Sequence, residues 1–260
     1  MNLLLRGIVG STAYGLAGPR SDVDRLGVYA APTLDFARLD PVTDREWTIV
    51  RHDPSDVTLH EAGKFCRLAR GGNPTVTEAM WLPAELYEVR TELGDELIAI
   101  RSAFLCAERV RLAYLGYVEK QRVRFVNKTE SGPEHRARTE KHARHILRLL
   151  DQGLGLYATG RLEVRLDDPD RYVEFGRRAA ADPAVLDTAL AGARERFAAV
   201  RSPLPDEPDE AAIQAWLLRV RRANLPAETV GAVETVGAVE TVGAVETVGR
   251  AHRRRPVRDH

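Results

Sequence analysis

Two strand-like segments near the start of the chain, separated by a stretch of small residues, constrain the fold most. Residues 2–9 are a mostly apolar run, and residues 21–30 alternate between polar and apolar side chains, as the residues of β-strands do. Residues 12–18 between them are small enough to begin a helix. Shorter strand candidates follow at residues 47–50 and 56–59. This pattern predicts a small β-sheet whose first connection contains a helix.

The strand signal largely disappears beyond residue 85, and apolar residues then recur every three or four positions, as they do in helices. We expect an α+β protein in which residues 1–90 form the sheet-containing core, residues 91–222 a helical domain and residues 223–260 a tail. One further strand is expected at residues 161–166. The predicted helices span residues 62–69, 97–110, 112–126, 134–150, 180–200 and 210–222.

The composition of the chain is that of an ordinary globular protein. Its 260 residues include 38 basic and 38 acidic ones, which gives a formal net charge of zero and excludes a histone-like basic protein. No apolar run approaches the roughly 18–20 residues that span a bilayer, so we expect no membrane partner, and the first residues contain no signal-peptide pattern. Two cysteines far apart, Cys66 and Cys106, favour a reduced, cytoplasmic protein.

The last part of the chain has its own character. Residues 227–249 repeat Ala-Val-Glu-Thr-Val-Gly almost perfectly, and residues 250–260 contain five arginines. So few repeats give a β-helix no further turns to stack on, so we expect a disordered tail. The run of three arginines, Arg253 to Arg255, is of a kind that contacts nucleic acid, but a solvated basic tail is the interpretation we favour.

The turn after the first strand candidate carries the first chemical signal. Gly10 and Ser11 follow an apolar strand and precede small, helix-opening residues. Such a turn directs backbone N–H groups and a hydroxyl towards an anion. A glycine there lets a phosphate approach the backbone closely. Taken alone, a Gly-Ser sequence is usually only a turn.

A pair of aspartates about eleven residues later carries the second signal. Asp22 and Asp24 are two residues apart in the alternating segment, so their carboxylates are expected on one face of a strand. Neighbouring carboxylates raise each other's pKa unless a cation neutralises them, and oxygen ligands suit Mg²⁺, which also takes phosphate oxygens. A phosphate-binding turn beside such a pair is what phosphoryl or nucleotidyl transfer requires.

The combined pattern resembles the signature of the DNA polymerase β-type nucleotidyltransferase superfamily. Within it, the sequence is similar to the branch of nucleotidyltransferases associated with RNA ligases and RNA repair, over roughly residues 3–222. The matching motifs are Gly10-Ser11-x-x-Tyr14-Gly15-Leu16, Pro19-x-Ser21-Asp22-x-Asp24, Gly27-Val28-Tyr29-x-x-Pro32, Lys64-Phe65-x-x-Leu68, Gly72-Asn73-Pro74-x-x-x-Glu78-x-x-Trp81, and Lys141 with His145-x-x-Arg148-Leu149-Leu150.

The resemblance implies a fold and a reaction. It implies a small mixed sheet flanked by helices, and transfer of a nucleoside monophosphate from an NTP such as ATP to an acceptor hydroxyl, with release of pyrophosphate. Two Mg²⁺ ions, or Mn²⁺ in their place, are expected on the catalytic aspartates Asp22 and Asp24 and on a third carboxylate. Asp56 is the candidate for that third ligand and for the base, with a helix N-cap as its alternative role. Glu46 and Asp53 are the substitutes.

The nucleotide site is expected to include a group on one helix. Lys141, His145 and Arg148 are spaced by four and three and therefore share one helix face. The alternatives are a solvated face, or Arg148 paired with a core carboxylate. For the family positions Lys64, Asn73 and Glu78 we favour structural roles. The residues that the resemblance places at the nucleotide are Gly10, Ser11, Tyr14, Ser21, Lys141, His145 and Arg148.

The sequence is compatible with several functional alternatives. The acceptor is RNA, a protein side chain as in antitoxin-type members of the superfamily, or a small molecule. The other hypotheses are a catalytically inactive nucleotide- or RNA-binding module, and a structural partner in an RNA-repair or toxin–antitoxin complex. Neither the preferred NTP nor the oligomeric state is indicated by the residues. The test that separates these hypotheses is whether Asp22, Asp24 and Asp56 converge.

Overall fold

The strands near the start of the chain form one mixed sheet. The computed structural model describes residues 2–19, 21–40, 47–52, 55–126 and 133–226, without the side chains of 123–126 and 133–135. In this part of the chain the sheet has five strands in the order β3-β4-β2-β1-β5. The strands are β1 (Asn2–Val9), β2 (Asp24–Ala30), β3 (Thr48–Arg51), β4 (Val57–Glu61) and β5 (Tyr87–Arg90).

The pairing of the strands confirms the mixed sheet that the resemblance implies. Strand β1 pairs antiparallel with β2 and β5, and β3 pairs antiparallel with β4. Strands β2 and β4 are parallel. Because parallel neighbours begin at the same edge of a sheet, residues just before these two strands lie close together.

Each face of the sheet packs against different residues. Leu26 and Val28 of β2 belong to the main core, which includes the helices. Tyr29 lies on the opposite face in a smaller cluster with Leu59. Strand alternation explains the division, because successive side chains point to opposite faces.

The rest of the described chain is mainly helical. The long helix α6 packs against α5, α7 and α8, and short 3₁₀ turns occur at Thr33–Ala37, Ala84–Leu86 and Arg101–Phe104. The helices are α1 (Gly10–Tyr14), α2 (Ala62–Arg70), α3 (Pro74–Glu78), α4 (Glu92–Ala99), α5 (Ala107–Val126), α6 (Pro133–Thr159), α7 (Pro169–Ala181), α8 (Ala184–Ala199) and α9 (Glu210–Ala223).

The last helix closes back onto the sheet through a buried ion pair. Glu61, at the end of β4, caps α2 by accepting from the N–H of Gly63 at 2.7 Å. The same carboxylate contacts Arg221 of α9, with 2.6 Å between Nη1 and Oε1. Residues 1–225 form one compact unit, and the predicted boundary after residue 90 stays a prediction.

Several predicted elements are wrong in detail. The helix predicted at 97–110 is interrupted, since α4 ends at Ala99 and α5 begins at Ala107. The apolar pattern continues through this break because Phe104 is buried in the intervening turn. Strand β5 and helix α7 were not predicted. The small-residue helix begins at Gly10 and ends before Gly15, whose φ of +78° terminates it.

The strand predicted at residues 161–166 is also wrong. Leu162 and Val164 alternate into the core, as a strand would, but the segment joins no sheet. A side chain takes the place of a neighbouring strand, because Gln152 Nε2 donates to the carbonyl oxygens of Glu163 at 2.9 Å and Val164 at 3.1 Å. Extended backbone satisfied in this way has the same sequence pattern as a strand.

The structure shows the state of the two cysteines and the character of the helices, from which the compartment was predicted, but describes almost none of the tail. Cys66 and Cys106 are both free and buried. Across the described residues, no helix combines the length and the apolar character needed to cross a bilayer. Residues 226–260 form a second unit in which only Pro226 is described, so the predicted disorder of the repeat tail lies outside the described residues.

Candidate active site

A cavity of about 780 Å³ opens between the sheet edge and helices α2, α3, α5 and α6, and we call it the first cavity. Gly10, Ser11 and Asp24 lie on its wall, with Asp56 beside them. Positively charged and apolar side chains form other parts of the same wall. They include Lys64, Lys141, Arg144 and Arg148 among the cations, and Leu68, Val76 and Tyr117 among the apolar and aromatic residues.

Asp24 and Asp56 lie side by side where two parallel strands begin. Arg25 of β2 is opposite Val57 of β4, and the Arg25 N–H donates to the Asp56 carbonyl oxygen at 2.8 Å. The two aspartates are each one residue earlier and are therefore neighbours. Partial burial and the negative charge of Asp56 raise the pKa of Asp24 above its usual range. Strand β4 begins at Val57, so Asp56 caps no helix there.

Asp22 does not lie on a strand with Asp24, and that prediction is wrong. Strand β2 begins at Asp24, so the alternation rule does not apply to Asp22. Asp24 lines the first cavity, whereas Asp22 lines a second cleft, also of about 780 Å³, to which Asp56 contributes as well. The negative charge of Asp22 still raises the pKa of Asp24. Its role as a catalytic metal ligand stays a prediction.

The carboxylates offer oxygen ligands but do not form a complete metal cage. Within the described ranges, no three His, Cys, Asp or Glu side chains are arranged to hold a metal ion together. Asp24 and Asp56 nevertheless fit Mg²⁺ chemically, because that ion accepts one or two carboxylates and completes its shell with water and phosphate oxygens. The substitute ligands Glu46 and Asp53 lie outside the described residues.

The close approach of the Asp24 carboxylate requires a glycine at position 10, independently of any bound phosphate. The φ of Gly10 is +70°, and a Cβ at this position would lie 2.3 Å from Oδ2 of Asp24. The Gly10 N–H donates to the carboxylate of Glu78. Ser11 is therefore the residue of the Gly-Ser pair that we expect to contact a phosphate.

Replacing Gly10 tests this close approach. We expect Gly10→Ala to displace the Asp24 carboxylate and to cost about 1–3 kcal/mol of stability, because alanine is disfavoured at positive φ and overpacks the site. Denaturant unfolding measures the loss. Gly18→Ala is the matched control, since a Cβ there would meet nothing within 4 Å, and an equal loss in both variants would contradict the explanation.

A buried carboxylate joins the Gly-Ser turn to helix α6. Glu78 accepts a hydrogen bond from the hydroxyl of Tyr14, with 2.9 Å to each carboxylate oxygen, and another from Arg148 Nη1 at 3.3 Å. Arg148 also donates to the side chain of Gln152, and its guanidinium stacks 3.8 Å from the Tyr14 ring centroid. Burial raises the pKa of Glu78, and the Arg148 charge opposes that rise most.

The hydrogen bonds to Glu78 give Arg148 and Tyr14 a structural role in the fold. The Arg148 side chain is 4% exposed and that of Glu78 is 3% exposed, so the pairing of Arg148 with a core carboxylate, one of the alternatives above, is present. Both Tyr14 and Arg148 also line the first cavity. Among the described side chains, Arg148 Nε is a buried donor without a hydrogen-bond partner. Their predicted contact with a nucleotide stays a prediction.

His145 is held as a neutral imidazole. Burial, with the positive charges of Arg148, His142 and Lys141, lowers its pKa to about 3. Arg148 Nη2 lies 3.1 Å from His145 Nδ1, and a guanidinium only donates. Nδ1 is therefore the acceptor, and the ring proton is on Nε2. His145 lines the first cavity as a hydrogen-bond donor without charge.

The depressed pKa of His145 predicts a loss of stability in acid. Between a folded-state pKa of about 3 and an ordinary unfolded value of about 6.5, the unfolded chain binds a proton that the folded chain does not. We expect His145→Gln to lessen the decline in unfolding free energy from about pH 7.5 to about pH 5 by roughly 2 kcal/mol. Denaturant titrations at both pH values measure it; an unchanged decline would contradict a buried neutral histidine.

The remaining predicted residues line the first cavity, stabilise local structure, or do both. Lys141 and Ser21 line the first cavity, and Ser21 Oγ also accepts from the Gly18 N–H at 2.9 Å. Asn73 caps α3 by accepting from the N–H of Val76 at 3.2 Å, which confirms a structural role for it. Arg144 and Tyr117 were not predicted; Arg144 was recognisable three residues after Lys141, on the same helix face.

Comparison with known proteins assigns the chain to a family. The model of the RNA repair pathway DNA polymerase beta family matches residues 1–164, well over half of the 260 residues. A relative from Enterobacteria phage T4, named "Uncharacterized 38.9 kDa protein in nrdC-mobD intergenic region", is 28% identical over 134 residues, which are 48% of this chain and 39% of the relative. The chain thus spans about two fifths of that relative's length. The family match confirms the resemblance seen in the motifs: this chain belongs to the RNA repair pathway DNA polymerase beta family.

Proposed function

We propose that the protein transfers a nucleoside monophosphate from an NTP to an acceptor hydroxyl, with release of pyrophosphate. The observation that carries the proposal is the placement of Asp24 beside Asp56, next to the Gly10–Ser11 turn and on the wall of the first cavity. Family membership supports a nucleotidyltransferase-like role in RNA repair. The cavity has the volume of a small-molecule site.

The first cavity suits a nucleoside triphosphate. Lys141 and Arg144 line the cavity and supply positive charge for the phosphates, and Ser11 supplies a hydroxyl. Leu68, Val76 and Tyr117 supply apolar surface of the kind that packs against a base. A lining with both kinds of side chain fits a ligand that has a charged part and an aromatic part.

The aspartates have two tasks in this proposal. Asp24 and Asp56, assisted by Asp22, would hold Mg²⁺, which when bound lowers the pKa of the acceptor hydroxyl and stabilises the pyrophosphate charge. Asp56 accepts the hydroxyl proton. His52 contacts Asp56, with 2.7 Å between Nδ1 and Oδ1, and orients that carboxylate at the rim of the site. Arg148 and Glu78 keep the Gly-Ser turn fixed relative to α6.

A module that binds a nucleotide without turning it over, because it lacks a third metal-binding carboxylate, is the second candidate function. Among the described residues, no three carboxylates form a metal group. The negative charges beside Asp24 favour catalysis instead, because a carboxylate whose pKa is raised by burial and by neighbouring carboxylates is costly in a site that only binds a polyanion.

The experiment that tests the proposal incubates the protein with each α-labelled NTP, Mg²⁺ and total cellular RNA. Label that becomes acid-precipitable and depends on the protein supports transfer. Digestion with ribonuclease or protease then identifies the acceptor as RNA or protein. An NTP that binds, as measured by calorimetry, but transfers no label to any acceptor would support the inactive module and overturn the proposal.

A further inference from the structure

The edge of the sheet that carries Asp24 and Asp56 lies between the first cavity and the second cleft. In the proposed function, the NTP needs only the first cavity. The first cavity lies on the helix side of the sheet, where Thr58 and His60 of β4 contribute to its wall. The second cleft is lined by Arg25 and Val57, whose side chains alternate to the opposite face. Asp56 and Arg25 are common to both recesses. A transferase with its nucleotide on one side of this carboxylate has room for the other substrate on the second side.

Two arginines share one carboxylate in the second cleft. Glu88 of β5 accepts from Arg6 Nε at 3.0 Å and from Arg25 Nε at 2.8 Å. The three side chains are between 23% and 32% exposed. One negative charge cannot neutralise two guanidinium groups, each of which carries five N–H donors. The cluster of these three side chains therefore keeps one positive charge that Glu88 does not neutralise, and unused N–H donors suited to a phosphate. Asp22 and Asp56 also line the cleft, and in the proposed function their negative charges would be neutralised by Mg²⁺.

The lining of the second cleft also indicates what it does not recognise. Its described residues include no Phe, Tyr or Trp, so it lacks the aromatic surfaces on which unpaired bases stack. It is mostly polar and charged, in contrast to the first cavity, whose lining includes Leu68, Val76 and Tyr117. Arginines without aromatic neighbours are suited to a sugar–phosphate backbone of any sequence.

We infer that the second cleft binds the acceptor, and that this acceptor is a polynucleotide end whose hydroxyl reaches Asp56 while its adjacent phosphate contacts Arg6 and Arg25. The inference rests on the proposed function. The hydroxyl oxygen bonds to the α-phosphorus, the bond from that phosphorus to the pyrophosphate oxygen breaks, and the hydroxyl proton passes to Asp56. A protein hydroxyl carries no such phosphate, so the arginine pair would be left without a ligand.

The test uses variants whose effects have opposite signs. A short fluorescein-labelled single-stranded RNA is titrated with the full chain, and its anisotropy is followed. We expect Arg25→Gln and Arg6→Gln each to weaken RNA binding roughly tenfold, and to reduce the slope of log K against log salt by about 0.7 per lost contact. Glu88→Gln should tighten binding, because it releases both arginines. NTP binding, measured by calorimetry, should stay unchanged in Arg6→Gln and Glu88→Gln, because Arg6 and Glu88 line the second cleft and not the first cavity.

The outcomes separate this inference from the proposed function. Equal RNA affinity in the wild type and Arg25→Gln, or weaker binding by Glu88→Gln, would overturn the acceptor cleft. Displacement of the RNA by NTP would overturn it too, since both would then occupy the first cavity. Transfer of label to protein, undiminished in Arg25→Gln, would leave the proposed function intact and exclude a polynucleotide acceptor. RNA binding that follows the expected pattern without any transfer would overturn the proposed function alone.

Discussion

Asp24→Asn is expected to abolish nucleotidyl transfer while making the fold more stable. Asp24 lies beside Asp56, and a neutral amide is a poor ligand for Mg²⁺, so we expect transfer to fall by about a thousandfold or more. Burial and the charges of Asp56 and Asp22 raise the pKa of Asp24, so its ionised form is held at a cost that asparagine lacks. Labelled-NTP assays and thermal unfolding at pH above neutrality measure both effects.

The sign of the stability change follows from the raised pKa. Above the folded-state pKa of Asp24 the wild type keeps an unfavourable charge, and the advantage of Asp24→Asn is fully present. As the pH falls through that pKa towards the unfolded value, the wild-type carboxyl becomes protonated and the advantage disappears. Asp206→Asn is the control, because Asp206 is exposed and lines neither recess. A destabilised Asp24→Asn that still transfers label would contradict our assignment.

Arg148→Met is expected to cause the largest loss of stability among the variants considered. It removes the main charge opposing the buried Glu78 carboxylate, and breaking a buried pair in this way costs about 3–5 kcal/mol. Urea unfolding monitored by circular dichroism measures the loss. Because Glu78 can then become protonated, the deficit of Arg148→Met should shrink as the pH is lowered.

The double variant Glu78→Gln/Arg148→Met distinguishes pairing from simple packing. Without either charge, the buried uncompensated carboxylate is gone, so the double variant should recover much of the stability that Arg148→Met loses. The exposed pair Arg165–Glu85 supplies the control, since Arg165→Met at a solvated pair should cost less than about 1 kcal/mol. Additive losses at positions 78 and 148 would show that the two side chains act independently.

Strands β1 and β2 were predictable because their apolar and alternating residue patterns coincide with segments that pair in the sheet. Alternation placed β2 within three residues of its observed start, and the apolar run at β1 matches its bounds. Beyond the sheet the same reasoning failed where tertiary contacts replace secondary structure. The buried Val164 follows a strand pattern, yet its carbonyl is satisfied by the Gln152 side chain, a contact that no local pattern reveals.

The proximity of two predicted carboxylates is visible in the structure, but their distribution between two recesses was not predictable. Motif spacing pointed to Asp24 and the family resemblance to Asp56, and the parallel pairing of β2 with β4 brings them together; their catalytic roles stay predictions. The sequence pattern could not show that Asp22 lines a different recess, because that depends on where β2 begins. Nor could it show that His145 is neutral, since the lowered pKa arises mainly from burial, which depends on how α6 packs against α5, where the Tyr117 ring lies 6.0 Å from that of His145.

The central claim is that the bond between the α-phosphorus and the pyrophosphate oxygen breaks, and that the acceptor oxygen becomes bonded to the α-phosphorus. The most direct measurement compares NTP labelled at the α-phosphate with NTP labelled at the γ-phosphate, in parallel reactions with Mg²⁺ and RNA. Our account predicts that α-label enters the acceptor, that γ-label is released as pyrophosphate in equal amount, and that both signals vanish in Asp24→Asn. Entry of γ-label into the acceptor would identify a kinase-type phosphoryl transfer and contradict the account.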